Sequence, residues 1–250
     1  MTGRRELLVG ALPAFAIFAL LKEAAADVAP SARAPAGRWI ARQDELARSL
    51  AKMKITQVEW HDQVNALARD VDIGELAFEI RRARTRPAGD PFGHDPKKRF
   101  INFLDEDEKP LRLAYGAALF TFDKTNVITP HAHKHMASAH MVLEGKIRVR
   151  TFDRIADEDG AILILPTGDI VAEPGHAAAM TSEKDNVHWF APRSPHAMTF
   201  DVIVDGLDPG QDRYIIQPLD PLAGTRLSDS TIRAPLLTFE ESSKRYTAAL

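Results

Sequence analysis

The stretch PHAHKHMASAHMVLEGK, residues 130–146, carries four of the nine histidines of the chain. His131, His133 and His135 alternate with other residues, and His140 follows five positions later. Because neighbouring side chains on a β-strand point to opposite faces, we expect the first three imidazoles to share one face. An H-x-H pair on a strand places two imidazoles roughly 6 to 7 Å apart along the backbone, close enough to bind one ion. The stretch therefore predicts a metal site at the start of a strand.

The amino-acid composition limits which residues can hold a metal and which partners the protein can bind. The chain has 250 residues, of which 45% are hydrophobic and 27% charged, and its formal net charge is −3. This balance is typical of a globular protein and gives no indication of a nucleic-acid partner. Cysteine is absent, so disulfides, iron–sulfur clusters and a cysteine nucleophile are excluded. A bound metal must be held by His, Asp, Glu or backbone oxygen.

The N-terminus resembles an export signal. Arg4 and Arg5 precede an apolar run over residues 7–21, and small residues follow that are suited to a cleavage site. The paired arginines favour the twin-arginine route, so we predict a signal over residues 1–26 and a Pro/Ala-rich linker over 27–38. This implies a bacterial protein that is periplasmic or secreted, with no stable membrane anchor after cleavage. A short membrane anchor and an amphipathic start to a cytosolic chain are the alternatives.

Apolar periodicity divides the rest of the chain into a helical part and a β-rich part. Residues 39–86 show helical spacing, and Asp72 is a candidate N-cap for a helix over 73–82. Residues 98–222 contain short apolar runs separated by Gly, Pro, Asp and Asn, as expected for an antiparallel sandwich or barrel. We therefore predict a mainly β protein with an N-terminal helical segment, a jelly-roll β-barrel and a C-terminal extension over 223–250. The predicted strands are 99–104, 111–122, 140–153, 161–166, 169–174, 177–182, 187–192, 196–207 and 213–219, with a bend at 137–139.

Two motifs resemble the cupin superfamily. The first is the stretch already quoted, in which H-x-H is followed by MVLEG and a strand. The second is LPTGDIVAEPGHAAAMTSEKDNVHWFAP, residues 165–192, where His188 occupies the place of the last cupin ligand. The resemblance covers roughly residues 110–220 and implies a cupin-type barrel with His131, His133 and His188 as metal ligands. The helical segment lies outside it.

One departure from the usual cupin pattern changes the expected site. The glutamate ligand of many cupins would fall on or near Ser138, and no carboxylate lies between His133 and Glu144. A three-histidine site is similar to the thiol dioxygenases, in the branch of cysteamine dioxygenase and the plant cysteine oxidases. Asn186 before His188, and the later GQDRYIIQPLDP segment, also resemble that branch. The branch's Pro-Pro-Tyr and crosslinking cysteine are missing here, which weakens the inference about the substrate.

The resemblance implies a non-haem iron(II) dioxygenase that uses dioxygen to oxidise a small thiol to a sulfinate. It suggests Asp201 as a carboxyl that orients a ligand or substrate, and Tyr214 as a source of the missing hydroxyl. The alternative for Asp201 is a structural carboxylate at a strand end. His135 could contact the site from the same face, and His140 could act as a fourth ligand. Nickel, copper, zinc and manganese remain alternatives to iron.

The sequence is also compatible with two other functions. One is a cupin enzyme that acts on another small molecule, and the other is a non-catalytic periplasmic protein that binds a metal or ligand. A shell closed by a fourth histidine would favour the second, because it leaves less room for substrate and dioxygen. Homo-oligomer formation also remains open.

Overall fold

The computed structural model describes residues 35–89, 95–208, 210 and 215–247. The predicted export signal and Tyr214 lie outside the described residues, as does most of the predicted linker. None of the helices in the described part of the chain is long and apolar enough to span a membrane.

Within the described ranges, three helices precede the β-strands and a fourth follows them. The helices are α1 (Ala36–Ala51), α2 (Gln57–Leu67), α3 (Ile73–Arg82) and α4 (Phe239–Arg245). The strands are β1 (Arg84–Pro87), β2 (Lys97–Asn102), β3 (Gly116–Phe122), β4 (Ile128–Lys134), β5 (Met136–Glu144), β6 (Ile147–Glu158), β7 (Ala161–Ala172), β8 (Ala177–Met180), β9 (Val187–Pro192), β10 (Ala197–Asp205), β11 (Ile215–Pro218), β12 (Thr225–Arg226) and β13 (Ile232–Pro235).

The strand order is that of a jelly roll. Strands β3 to β10 form two four-stranded antiparallel layers, in the orders β3-β10-β5-β8 and β4-β9-β6-β7. The pair β2 and β1 extends the first layer beyond β3, while β11 and the pair β13 and β12 extend the two edges of the second. Two antiparallel sheets wound in this order enclose a barrel and limit exposed edges. The prediction of a mainly β jelly-roll barrel with an N-terminal helical segment is confirmed.

Helices α1, α2 and α3 cover the outer face of the six-stranded sheet and form the largest core with it. Trp39 of α1 packs edge-on against Phe200 of β10 with ring centroids 5.7 Å apart, and its indole N–H donates to the Leu67 carbonyl at 2.9 Å. Asp72 caps α3 as predicted, since its carboxylate accepts from the Glu75 N–H at 3.0 Å. Burial of this apolar face is what attaches the helices to the barrel.

Several predicted strand boundaries are wrong, and turn chemistry explains them. Residues 137–139 lie within β5 and are buried, so the predicted bend is absent there. The chain turns instead at His135, between β4 and β5, where φ is +64°. The single strand predicted over 140–153 is divided at Gly145, whose φ of +72° suits a residue without a Cβ. Residues 161–172 form one strand rather than two.

Candidate metal centre

Strand alternation places histidines from two neighbouring strands inside the barrel. His131 of β4 lies opposite His188 of β9 in the antiparallel register, and His133 is two residues further along β4. Ala132, between the two β4 histidines, points the other way into an apolar cluster on the outside of the sheet. The period of two along a strand thus directs all three imidazoles into one internal cavity.

The three rings converge closely enough to hold one metal ion. One ligand atom from each of His131, His133 and His188 lies within 4.8 Å of the others. The ring centroids of the three pairs are 4.2 to 4.8 Å apart, and the Nε2 atoms of His131 and His133 are 2.9 Å apart. Two nitrogen ligands about 2.1 Å from a metal and about 90° apart would be about 3.0 Å from each other. The spacing of the two Nε2 atoms fits a shared ion.

All three imidazoles are held in the neutral state that binds metals. Burial lowers the pKa of His131 to about 4, and burial followed by the neighbouring histidines lowers the pKa values of His133 and His188 well below their usual range. His131 Nδ1–H donates to the Thr129 carbonyl at 2.7 Å, which leaves its Nε2 unprotonated and facing the cavity. A backbone acceptor on the far nitrogen is the usual arrangement for a ligating histidine.

No carboxylate belongs to this group among the described residues. Ser138 of β5, where a glutamate ligand would be expected, lines the cavity instead, and its Oγ is buried without a hydrogen-bond partner. Three neutral nitrogens on one side of an ion suit divalent iron, nickel, copper, zinc or manganese and leave the cavity side for other ligands. The residues present therefore fit a metal ion, and its identity is not fixed by them.

His140 and Asp201 lie on the opposite sheet and face the histidine group across the cavity. They are register partners on β5 and β10, and both side chains are buried. The His140 ring centroid is 6.4 Å from that of His188, and its Nε2 is 3.6 Å from Asp201 Oδ1. Its Nδ1 lies 3.3 Å from the Thr199 hydroxyl. His140 thus shares the cavity with the three histidines but is not one of the converging group.

Asp201 is a buried carboxyl on the cavity wall. Its Oδ1 makes no hydrogen bond, and the distance to His140 is too long for one. Burial raises the pKa of Asp201 to about 8, although the nearby Lys98 charge opposes this. A carboxyl with this pKa is largely protonated at neutral pH, so Asp201 can donate a hydrogen bond into the cavity.

His135 departs from the alternation that the sequence suggested. Its positive φ turns the chain between β4 and β5, and its Nδ1 pairs with Asp208 Oδ2 at 3.0 Å. The ring lines a separate surface cavity with Lys134 and Arg154, and among the described residues only His133 borders both cavities. The left-handed backbone conformation at one residue thus takes His135 away from the face of its two neighbours.

Asn186 links the two strands that carry the histidines. Its side chain is buried, and its amide nitrogen donates to the backbone carbonyls of His133 at 2.8 Å and Thr181 at 2.9 Å. These bonds hold the start of β9, two residues before His188, against the end of β4. Asn186 therefore fixes the relative position of ligands from two distant parts of the sequence.

The sequence did not reveal the residues that close the cavity, whose volume is about 220 Å³. Lys98 was placed before the predicted strand 99–104, but the structure begins β2 at Lys97 and turns Lys98 into the cavity. No feature of the KKRF stretch distinguishes Lys98 from the two basic residues beside it. Apolar side chains form much of the remaining wall: Phe120, Ile128, Met136, Ile203, Ile216, Pro218 and Phe239.

Comparison with known proteins yields structural likenesses only. No protein-family model matches the sequence, and no curated protein matches it. Similar solved structures include an 11S globulin from Wrightia tinctoria (12% identity, TM-score 0.36, covering 56% of this chain and 30% of the globulin). KdgF from a Halomonas species is also similar, with 16% identity and a TM-score of 0.32 over 51% of this chain and 88% of KdgF. An oxalate oxidase in complex with the substrate analogue glycolate has 16% identity and a TM-score of 0.34 over 51% of this chain and 58% of the oxidase. The chain thus spans less than a third of the globulin, and at these TM-scores the likenesses carry no argument about a reaction.

Proposed function

We propose that this protein is a metal-dependent enzyme, specifically a non-haem iron dioxygenase that converts a small thiol to a sulfinate. The observation that carries the proposal is the group of three neutral histidines at one wall of an internal cavity, with no carboxylate in the group among the residues that the structure describes. In the overall reaction R–SH and O₂ give R–SO₂H, so both oxygen atoms are added to sulfur. The sulfur atom supplies the four electrons that reduce dioxygen.

The ligand set is suited to a thiol substrate. Bound iron(II) would supply adjacent coordination positions for sulfur and dioxygen. His131, His133 and His188 contribute no negative charge, so the positive charge of the ion is undiminished in the cavity. A thiol held beside that charge loses its proton more readily than it does in water.

The opposite wall can orient the substrate and exclude water. The Asp201 carboxyl faces the cavity and holds a proton in the metal-free protein, so it can form a hydrogen bond with a group bound there. Phe120, Met136 and Ile203 give this wall an apolar surface. A mostly apolar cavity with a few directed polar groups is typical of a site for a small molecule.

The location and partners belong to the same proposal. The paired arginines and apolar run at the N-terminus support export to the periplasm or beyond. The partners would be a small thiol and dioxygen. Export would bring the enzyme into contact with extracytoplasmic thiols rather than with the thiol pool of the cytosol.

Oxygen uptake by the iron-loaded protein tests the reaction. The protein is reconstituted anaerobically with ferrous iron and mixed with aminothiols, cysteine and mercapto-acids in oxygenated buffer. We expect thiol-dependent oxygen uptake and, with ¹⁸O₂, a sulfinate that carries two labelled oxygen atoms. His188→Ala should lose the activity, while His135→Ala, outside the converging group, should retain it. Stoichiometric metal without sulfinate from any thiol would rule out the dioxygenase and favour a binding protein.

A further inference from the structure

Lys98 is a cation directed into the metal-site cavity. It lies on β2 between Lys97 and Arg99, which are exposed, while Lys98 is half-buried and lines the cavity. Its Nζ lies 5.0 Å from the ring centroid of Phe100 and 4.8 Å from that of Phe120. Two aromatic faces thus hold the ammonium group at the cavity wall by cation–π contact.

Its charge has no carboxylate partner within ion-pair distance in the part of the chain that the structure describes. Two carboxyl groups line the same cavity as Lys98. Asp95 has other interactions, and burial raises the pKa of Asp201 to about 8. Lys98 lines the same cavity as His131 of one sheet and His140 of the other, so its charge faces both walls. A half-buried cation facing neutral imidazoles is a site that an anion would stabilise.

The strands beside Lys98 extend the positive charge to the surface. Strands β1 and β2 read RTRP and KKRFIN and contain no acidic residue. Arg84, Arg86, Lys97 and Arg99 are all exposed on this hairpin. An excess of positive charge on these two strands raises the local concentration of anions at this part of the surface.

We propose that Lys98 binds a carboxylate of the substrate, so that the substrate is a small acid whose other end reaches His131, His133 and His188. The cavity volume of about 220 Å³ is below the roughly 300–1,000 Å³ of pockets for drug-sized ligands, which fits a short acid. The identification of that other end as a thiol rests on the proposed function, whereas the carboxylate site does not. Together they specify a mercapto-acid rather than a simple aminothiol.

Binding of a matched pair of thiols tests this assignment. The probes are 3-mercaptopropionate and 3-mercapto-1-propanol, which differ only in the carboxylate, titrated anaerobically into the iron-loaded protein and followed by calorimetry. Because a hydrogen bond to a charged group contributes about 1.5–3 kcal/mol, the acid should bind about 10- to 100-fold more tightly. Propionate and 1-propanol form a second pair without the thiol.

The variants separate the charge of Lys98 from its packing. Lys98→Met keeps an apolar stem over Phe100 and Phe120 and should abolish the preference for the acid, while Lys98→Arg should keep it. Lys97→Met, which removes a neighbouring exposed charge, should change the preference by no more than about twofold. Circular dichroism and metal content verify that each variant is folded and loaded.

The outcomes distinguish this proposal from the one on which it partly rests. Equal binding of acid and alcohol by the wild type, or an unchanged preference in Lys98→Met, would overturn the carboxylate site even if thiols are oxidised. If neither thiol is oxidised but propionate binds in a Lys98-dependent way, the carboxylate site stands and the thiol dioxygenase does not.

Discussion

Removal of the buried Asp201 carboxyl should change how stability depends on pH. Asp201 is 2% exposed, and burial raises its pKa to about 8, against about 3.9 for an unfolded aspartate. Between these values the native state binds one more proton than the unfolded state. The contribution of the neutral carboxyl is therefore complete below about pH 4 and is lost as the pH rises toward about 8.

The size of this change in the free energy of unfolding follows from the one additional proton that the native state binds. Each pH unit inside the window costs about 1.4 kcal/mol, so from pH 5 to pH 7 the wild type should lose about 3 kcal/mol relative to Asp201→Asn. The assay is urea unfolding of both proteins, treated with a chelator, at pH 5, 6 and 7. The difference between them cancels the titration of the buried histidines that they share.

A neighbouring carboxylate provides the control for this experiment. Asp205 is on the same strand but is exposed, so Asp205→Asn makes the same substitution at a solvated carboxylate outside the cavity. If the free energies of unfolding of wild type and Asp201→Asn stay parallel from pH 5 to pH 7, Asp201 is not a buried neutral carboxyl. Its assignment as a hydrogen-bond donor in the cavity would then fail.

Three further substitutions test the site and its support. Asn186→Ala removes the bond to the His133 carbonyl and should weaken metal binding by about tenfold in a competitive chelator titration; unchanged affinity would contradict its positioning role. His140→Ala should keep a full complement of metal by elemental analysis, because its ring is outside the converging group; loss of the metal would make it a ligand. Phe200→Ala should lower the free energy of unfolding by about 3–5 kcal/mol, whereas Phe78→Ala at an exposed position should change it by less than about 1 kcal/mol.

The barrel and the shared face of His131 and His133 could be predicted because both depend on local pattern, whereas His188 was assigned through the resemblance to a cupin motif. Alternation along a strand predicted that His131 and His133 share a face, and the structure places both in the cavity. The second motif identified His188, which the antiparallel register brings opposite His131. Such features survive because a strand's period and a turn's residues are encoded within a few positions.

The features that could not be predicted depend on the backbone conformation of single residues and on contacts between residues far apart in the sequence. Nothing in KHMAS signals that His135 adopts a positive φ, so its departure from the shared face could not be predicted. Lys98 acquires its position only when β2 pairs with β3 and brings it beside Phe120. The raised pKa of Asp201 is likewise a property of the closed barrel, since it results from burial of the carboxyl.

The metal content of the protein purified from its native compartment tests the central claim most directly. Elemental analysis of the wild type should find about one divalent metal ion per chain, with iron as the proposed ion, and none in His188→Ala. His135→Ala should match the wild type, because its ring pairs with Asp208 away from the group. A wild type without metal, or a His188→Ala variant that retains one ion per chain, would contradict the three-histidine centre.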